Sequence, residues 1–193
     1  MGGGYGTNAV VFIVQTLFGL YLMVIMLRFL LQACRANFYN PLSQFLVKVT
    51  NPPLIPMRRV IPGFWGLDFA AVVLMLILQA VEIFIIAAVK DVSIAPMGLF
   101  VMTIAEILQL MLNVYFFSIL IQIILSWVSP GGSNPIVSLL HTLNEPLLGP
   151  ARRLIPPISG FDLSPMVVLL VIQLGNILII SPISDAGRVL AAG

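Results

Sequence analysis

Few residues in this sequence could do chemistry. Two arginine doublets, Arg58-Arg59 and Arg152-Arg153, could meet lipid phosphates, where each cation contributes about 1 kcal/mol at a headgroup surface. Their other reading is that they only enforce topology. Gln79 and Glu82 lie three apart inside one apolar run, and Gln173 and Asn176 inside another. Such groups hydrogen-bond between helices, each bond contributing roughly 0.6 to 2 kcal/mol. Alternatively they line an ion or proton path with Glu82 as its titratable group. His141 is the single histidine; metal sites need several convergent ligands, so a solvated interfacial residue is expected rather than a haem or metal ligand. No G-x-S-x-G elbow, P-loop, H-E-x-x-H or paired intramembrane Asp is present, and the chain is expected not to be an enzyme and to need no cofactor.

The elements that must position these residues are apolar. Hydrophobic residues make up 60% of the chain and charged ones 8%, against about 25% charged in soluble domains, and the mean hydropathy is +1.12. This is an integral membrane protein. One cysteine, Cys34, excludes an intramolecular disulfide framework. A net charge of +2 is no surface for nucleic acid, and no direct nucleic acid binding is expected.

The polar residues fall into a cassette that occurs twice. Asn40-Pro41-Leu42, Asn51-Pro52, Pro56, Arg58-Arg59, Ile61-Pro62 and Asp68 are matched, 94 residues on and without a gap, by Asn134-Pro135-Ile136, Glu145-Pro146, Pro150, Arg152-Arg153, Ile155-Pro156 and Asp162. Apolar runs flank each copy. The spacing predicts four transmembrane helices, at about 9–31, 69–89, 98–128 and 163–183, each near the roughly 20 residues a bilayer core requires. Cassettes 40–68 and 134–162 divide them into two repeats, 1–96 and 97–193. The fold class is an all-α membrane protein of two parallel (direct) repeats of a helical hairpin. Arg28, near the end of the first run, is expected to snorkel to the headgroups, Glu106 to lie at the outer interface, and 184–193 to form a small polar tail.

Orientation follows from positive charge. Arg35, Lys48 and both doublets lie on the cassette side, while Lys90 and Arg188 lie opposite. Both cassettes are therefore expected in the cytoplasm and both termini outside.

Each cassette opens with a short helix. Asn40 and Asn134 are good N-caps and a proline follows each at the first helical position. Leu42, Phe45, Leu46 and Val49 then recur at helical spacing, as do Ile136, Leu139, Leu140 and Leu143. A helix of about 10 residues, rising roughly 15 Å, is too short to cross, so it is expected in the interface, either packed over the bundle mouth or offering a docking surface. The later prolines, including Pro156 and Pro157, are expected to hold the chain extended or turned. Asp68 and Asp162 are expected to cap the spans that follow them, with pairing to their own arginines as a compatible rival.

This duplicated N-P-(L/I), (N/E)-P, P, R-R, I-P and Asp pattern resembles the YggT family of bacterial membrane proteins, also called YlmG. The resemblance implies a bacterial inner membrane location and an association with cell division and osmotic or potassium tolerance. Plastid relatives imply nucleoid distribution and maturation of a b-type cytochrome. The expected function is an accessory scaffold or assembly factor recruiting partners through its cytoplasmic helices and arginine pairs. The alternative is an ion or osmolyte channel or transporter lined by Gln79, Glu82, Gln173 and Asn176. Expected partners are anionic lipid headgroups, an unidentified membrane or cytoplasmic protein, and further copies of the chain in a homo-oligomer.

Overall fold

The apolar runs become helices because, inside a bilayer, every backbone N–H and C=O must find a partner within its own segment. The computed structural model describes residues 3–63, 66–128, 134–155 and 162–192. Pro156 and Pro157 lie outside the described residues. The described chain is helical: α1 (Gly3–Ala33), α2 (Pro41–Arg58), α3 (Phe69–Val89), α4 (Pro96–Val128), α5 (Pro135–Leu154), α6 (Ser164–Gly175), a π-turn (Asn176–Ile180) and α7 (Ser181–Ala191). Among these, four stretches are long and apolar enough to cross a membrane: α1, α3, α4 and the run from α6 through α7.

In the first repeat α1 packs on α3, and in the second α4 packs on α6 and α7; α3 and α4 join the two hairpins. The larger core cluster joins Leu22, Ile25 and Met26 of α1 to Leu54 of α2, Leu74 of α3 and Leu143 of α5. Ile119, Leu148, Val168 and Ile172 form the second. Three pairs at the 94-residue offset, Ile25 and Ile119, Leu54 and Leu148, Leu74 and Val168, are all buried. The duplication therefore extends from sequence into packing.

Three expectations are corrected. The first concerns the prolines: α2 runs 18 residues through Pro52, Pro53 and Pro56, and α5 runs 20 through Pro146 and Pro150. An interior proline costs about 3 kcal/mol, but Pro52, Pro56, Pro146 and Pro150 lie on the exposed side of their helices. Leu54 and Leu148, fully buried within the same stretch, hold the helix to the bundle. The two helices are thus about 27 to 30 Å long, and composition rather than length separates them from the four spans.

The second concerns their buried face. Leu46, Leu139 and Leu143 are buried, but Leu42, Phe45 and Ile136 are exposed, and Val49 and Leu140 are half-buried. The inward face of α2 is Ser43, Leu46, Thr50 and Leu54, turned from the purely apolar stripe because Thr50 has a buried polar partner.

The third is the fourth span, which continues through the expected polar tail to Ala191. Small residues permit it. A side chain at Gly98 would collide with the Ala191 backbone, and one at Gly187 would meet Met102 Cγ at 2.8 Å. The helices approach at these glycines as small-residue membrane interfaces do. Upstream, Pro182 lacks an N–H and would crowd a carbonyl one turn back; the π-turn accommodates it, with the Ser181 N–H donating to Asn176 O.

Candidate functional site

The cassette helices are joined to the bundle by polar couples that occupy the same places in both repeats. Arg28 of α1, 4% exposed, donates from Nη1 to Thr50 Oγ1 and to Val47 O at 3.4 Å. At the matching positions Gln122 Oε1 of α4 accepts from Asn144 Nδ2 at 2.7 Å, and Gln122 Nε2 lies 3.0 Å from His141 Nδ1. Ser118 Oγ adds a bond to Asn144 Oδ1 at 2.6 Å. Rather than extending free from the end of its span as expected, Arg28 is buried against α2, because a buried guanidinium needs acceptors and a cassette helix supplies them. The signal for this pairing was present in the sequence: polar residues inside the spans, at positions 28 and 122, obey the same offset as the cassettes.

Each cassette closes on an ion pair. Arg58 pairs with Asp68, whose Oδ1 also accepts from Ala71 N at 3.3 Å as the N-cap of α3. Arg152 Nε lies 2.9 Å from Asp162 Oδ2 and Arg152 Nη1 lies 3.0 Å from Glu145 Oε2, while Asp162 Oδ1 accepts from Ser164 N at 2.9 Å. Capping and arginine pairing therefore coexist on Asp68, whereas the expected cap at Asp162 is corrected: Leu163 takes the N-cap position of α6 without a side-chain bond, and Asp162, one residue earlier, holds only the Ser164 N–H beside its arginine. Burial would raise the Asp162 carboxyl, but hydrogen bonds from Ser164 and Arg152 outweigh it and hold it below the ordinary value of 3.8. The second arginine of each doublet, Arg59 or Arg153, is exposed and has no ion-pair partner among the described residues.

Asn40 Oδ1 caps Leu42 N and Asn134 Oδ1 caps Ile136 N, both at 2.9 Å. Asn40 Nδ2 also donates to Pro135 O at 2.7 Å, tying the N-termini of α2 and α5 together across the repeats. The doublets, at the opposite helix ends, line different cavities. Arg58 stands beside Arg28 and Lys48, Arg153 beside Cys34, His141 and Glu145. Among the described residues no three His, Cys, Asp or Glu side chains gather where they could hold a metal ion.

The intramembrane polar residues divide unevenly. Gln79 and Glu82 are buried and bonded, Nε2 to Oε2, at 3.1 Å. Gln173 is exposed instead of facing the bundle interior, and Asn176 opens the π-turn with its Oδ1 buried and unpartnered. The widened turn changes the helix phase after Asn176, so the two halves stop being equivalent there. Glu82 lines a cavity of about 390 Å³ at the end away from the cassettes, together with Gln15, Gln79, Lys90, Glu106 and Arg188. Glu106, expected at the outer interface, also lines a second cavity of about 210 Å³ with Asp185 and Arg188.

The chain is similar to an uncharacterized protein of Pseudomonas aeruginosa, 44% identical over 176 residues that cover 90% of this chain and 89% of that one. It is similar to the uncharacterized protein YggT of Escherichia coli strain K12, 37% identical over 189 residues, 96% of this chain and 97% of the other. A shorter likeness, 39% over 62 residues, links 32% of it to 24% of YlmG homolog protein 2, chloroplastic, of Arabidopsis thaliana. No solved structure matches it. The family signature is found twice, over residues 7–89 and 101–183, the same 94 residues apart as the cassettes, and with both repeats accounted for the chain belongs to the CCB3/YggT family.

Proposed function

We propose that this protein is an inner-membrane scaffold or assembly factor whose cassette helices present a fixed cytoplasmic surface to partners. One observation carries the reading. Arg58 and Arg152 are committed to aspartates, whereas Arg59 and Arg153 stand exposed at the ends of helices that buried polar couples clamp to the spans. A clamped helix loses little freedom when something binds it, which favours recruitment. The bias of Lys and Arg toward the cassette side supports a cytoplasmic placement with both termini outside. Exposed Leu42 and Phe45 beside Lys48 suit a helix lying at an anionic headgroup layer, as interfacial helices do, and the broad exposed apolar faces of the spans also suit a homo-oligomer.

Cross-linking from positions on α2 and α5 in native membranes is the test. A reproducible protein partner is expected, and Arg59→Ala with Arg153→Ala should weaken its capture while the protein still inserts. Indifference to that double substitution would remove the reading.

A second reading, an ion or osmolyte path, is favoured by the cavity that gathers Glu82, Glu106, Lys90 and Arg188. Reconstituted protein would then pass potassium or another ion, and Glu82→Gln would change the flux. Liposomes silent across several ions would sink it.

A further inference from the structure

We propose that the cavity between the end of α1 and α2 binds a phosphate-bearing anion, and that the first repeat alone has this site. The cavity, about 660 Å³, is lined by Arg28, Lys48 and Arg58 and by the amides of Gln32, Gln44 and Asn51. Asp68 compensates Arg58 directly. Arg28 feels Asp68 only beyond ion-pair distance, and neither it nor Lys48 makes an ion pair among the described residues. Arg28 is 4% exposed, and its Nε is buried with no hydrogen-bond partner although Nη1 is bonded to α2. A guanidinium cannot shed its charge to relieve burial, so a donor left over at the wall of a cationic cavity is completed by an anion. Phosphate oxygens match that fork, and the three lining cations suit the charge they carry.

The second repeat is an internal control. At the positions of Arg28, Lys48 and Asn51 it has Gln122, Thr142 and Glu145, and Glu145 pairs with Arg152. Gln122 still couples its span to its cassette helix through Asn144. The fold thus does not require an arginine at this joint, and the extra cations of the first repeat have another use. Arg28 lies five residues before the end of α1, about 7.5 Å along the axis, at the cassette end of that span. A lipid headgroup and free phosphate share the required chemistry. The inference stands apart from the scaffold reading, since a bound anion requires no protein partner.

The test uses the full chain in detergent, with lipid binding read by native mass spectrometry and phosphate binding by thermal unfolding. The wild type is expected to retain one phosphatidylglycerol at least tenfold more readily than phosphatidylcholine. Lys48→Thr with Asn51→Glu, which installs the residues of the second repeat without touching Arg28, should abolish that preference, and Arg153→Ala should leave it intact. Stabilisation of the wild type by millimolar inorganic phosphate, lost in the same double variant, would assign the site to free phosphate instead of lipid. A wild type that neither prefers the anionic lipid nor responds to phosphate, or a double variant that keeps its response, would overturn the proposal.

Discussion

Arg28 and Gln122 hold the same post in the two halves of this protein, each crossing from the first span of its repeat to the cassette helix, one to Thr50 and the other to Asn144. The contact has outlasted a change in its chemistry, from a charged donor on a hydroxyl to an amide on an amide. What is held constant is a buried polar tie between two helices that apolar packing alone would leave free to slide.

Asn144 is fully buried and uses both ends of its amide. Asn144→Leu should leave Gln122 and Ser118 short of partners and destabilise the protein by about 1–2 kcal/mol. Adding Gln122→Leu should cost less than the sum of the single changes. Denaturant unfolding of the purified protein, run as a double-mutant cycle, checks both statements.

The Asp162 carboxyl is held below its ordinary value, so its contribution to stability is complete above that value and disappears as the pH falls through the lower, folded one. The wild type should lose stability on acidification below about pH 4, and Asp162→Asn should flatten that part of the profile. At 40% exposure the carboxylate is screened by solvent. The slope should therefore be shallow. Melting temperatures across pH 2.5 to 6 (a range set around the usual carboxylate value of roughly 4) would reveal it.

A side chain at Gly98 would collide with the Ala191 backbone, whereas one at Gly187 would meet Met102 less closely, Cγ at 2.8 Å and N at 3.1 Å. Gly98→Val should therefore detach the end of α7 and speed hydrogen exchange over Ser181–Ala191. Gly187→Ala, with the smaller side chain and the longer contacts, should do so less. Equal exchange in the two variants would mean that the glycine contact does not hold this helix.

Arg35 and Asp91 end α1 and α3 in the left-handed region, at φ 52° and 55°. Each sits in a Schellman turn, with Ala36 N donating to Leu31 O and Val92 N to Ala87 O. Glycine bears this conformation without a Cβ clash. Arg35→Gly and Asp91→Gly should each raise stability by about 0.5–1 kcal/mol, read as a higher unfolding midpoint.

Much of this molecule can be read from residue types. Asn40, Pro41 and Asp68 announce helix starts because a cap is a local device, settled within three or four residues. The spans follow from bulk hydropathy. What the sequence conceals is decided over longer distances. Pro52 and Pro53 argue against helix until Leu54 is found buried on the far side of the same turn. Gln173 looks equivalent to Gln79 until it is found exposed, ahead of the π-turn that sets the rest of its helix apart. Arg28 looks like a free cation at the end of a span until α2 is placed over it, 22 residues away in sequence at Thr50.

That wide turn at Asn176–Ile180 acts as a swivel. Beyond it, the last helix is rotated from the course an uninterrupted coil would follow, and this brings Gly187 round toward Met102. Two halves cut from one blueprint thereby become handed relative to each other at a single rim, so a ligand approaching there meets an address that its sister half does not duplicate.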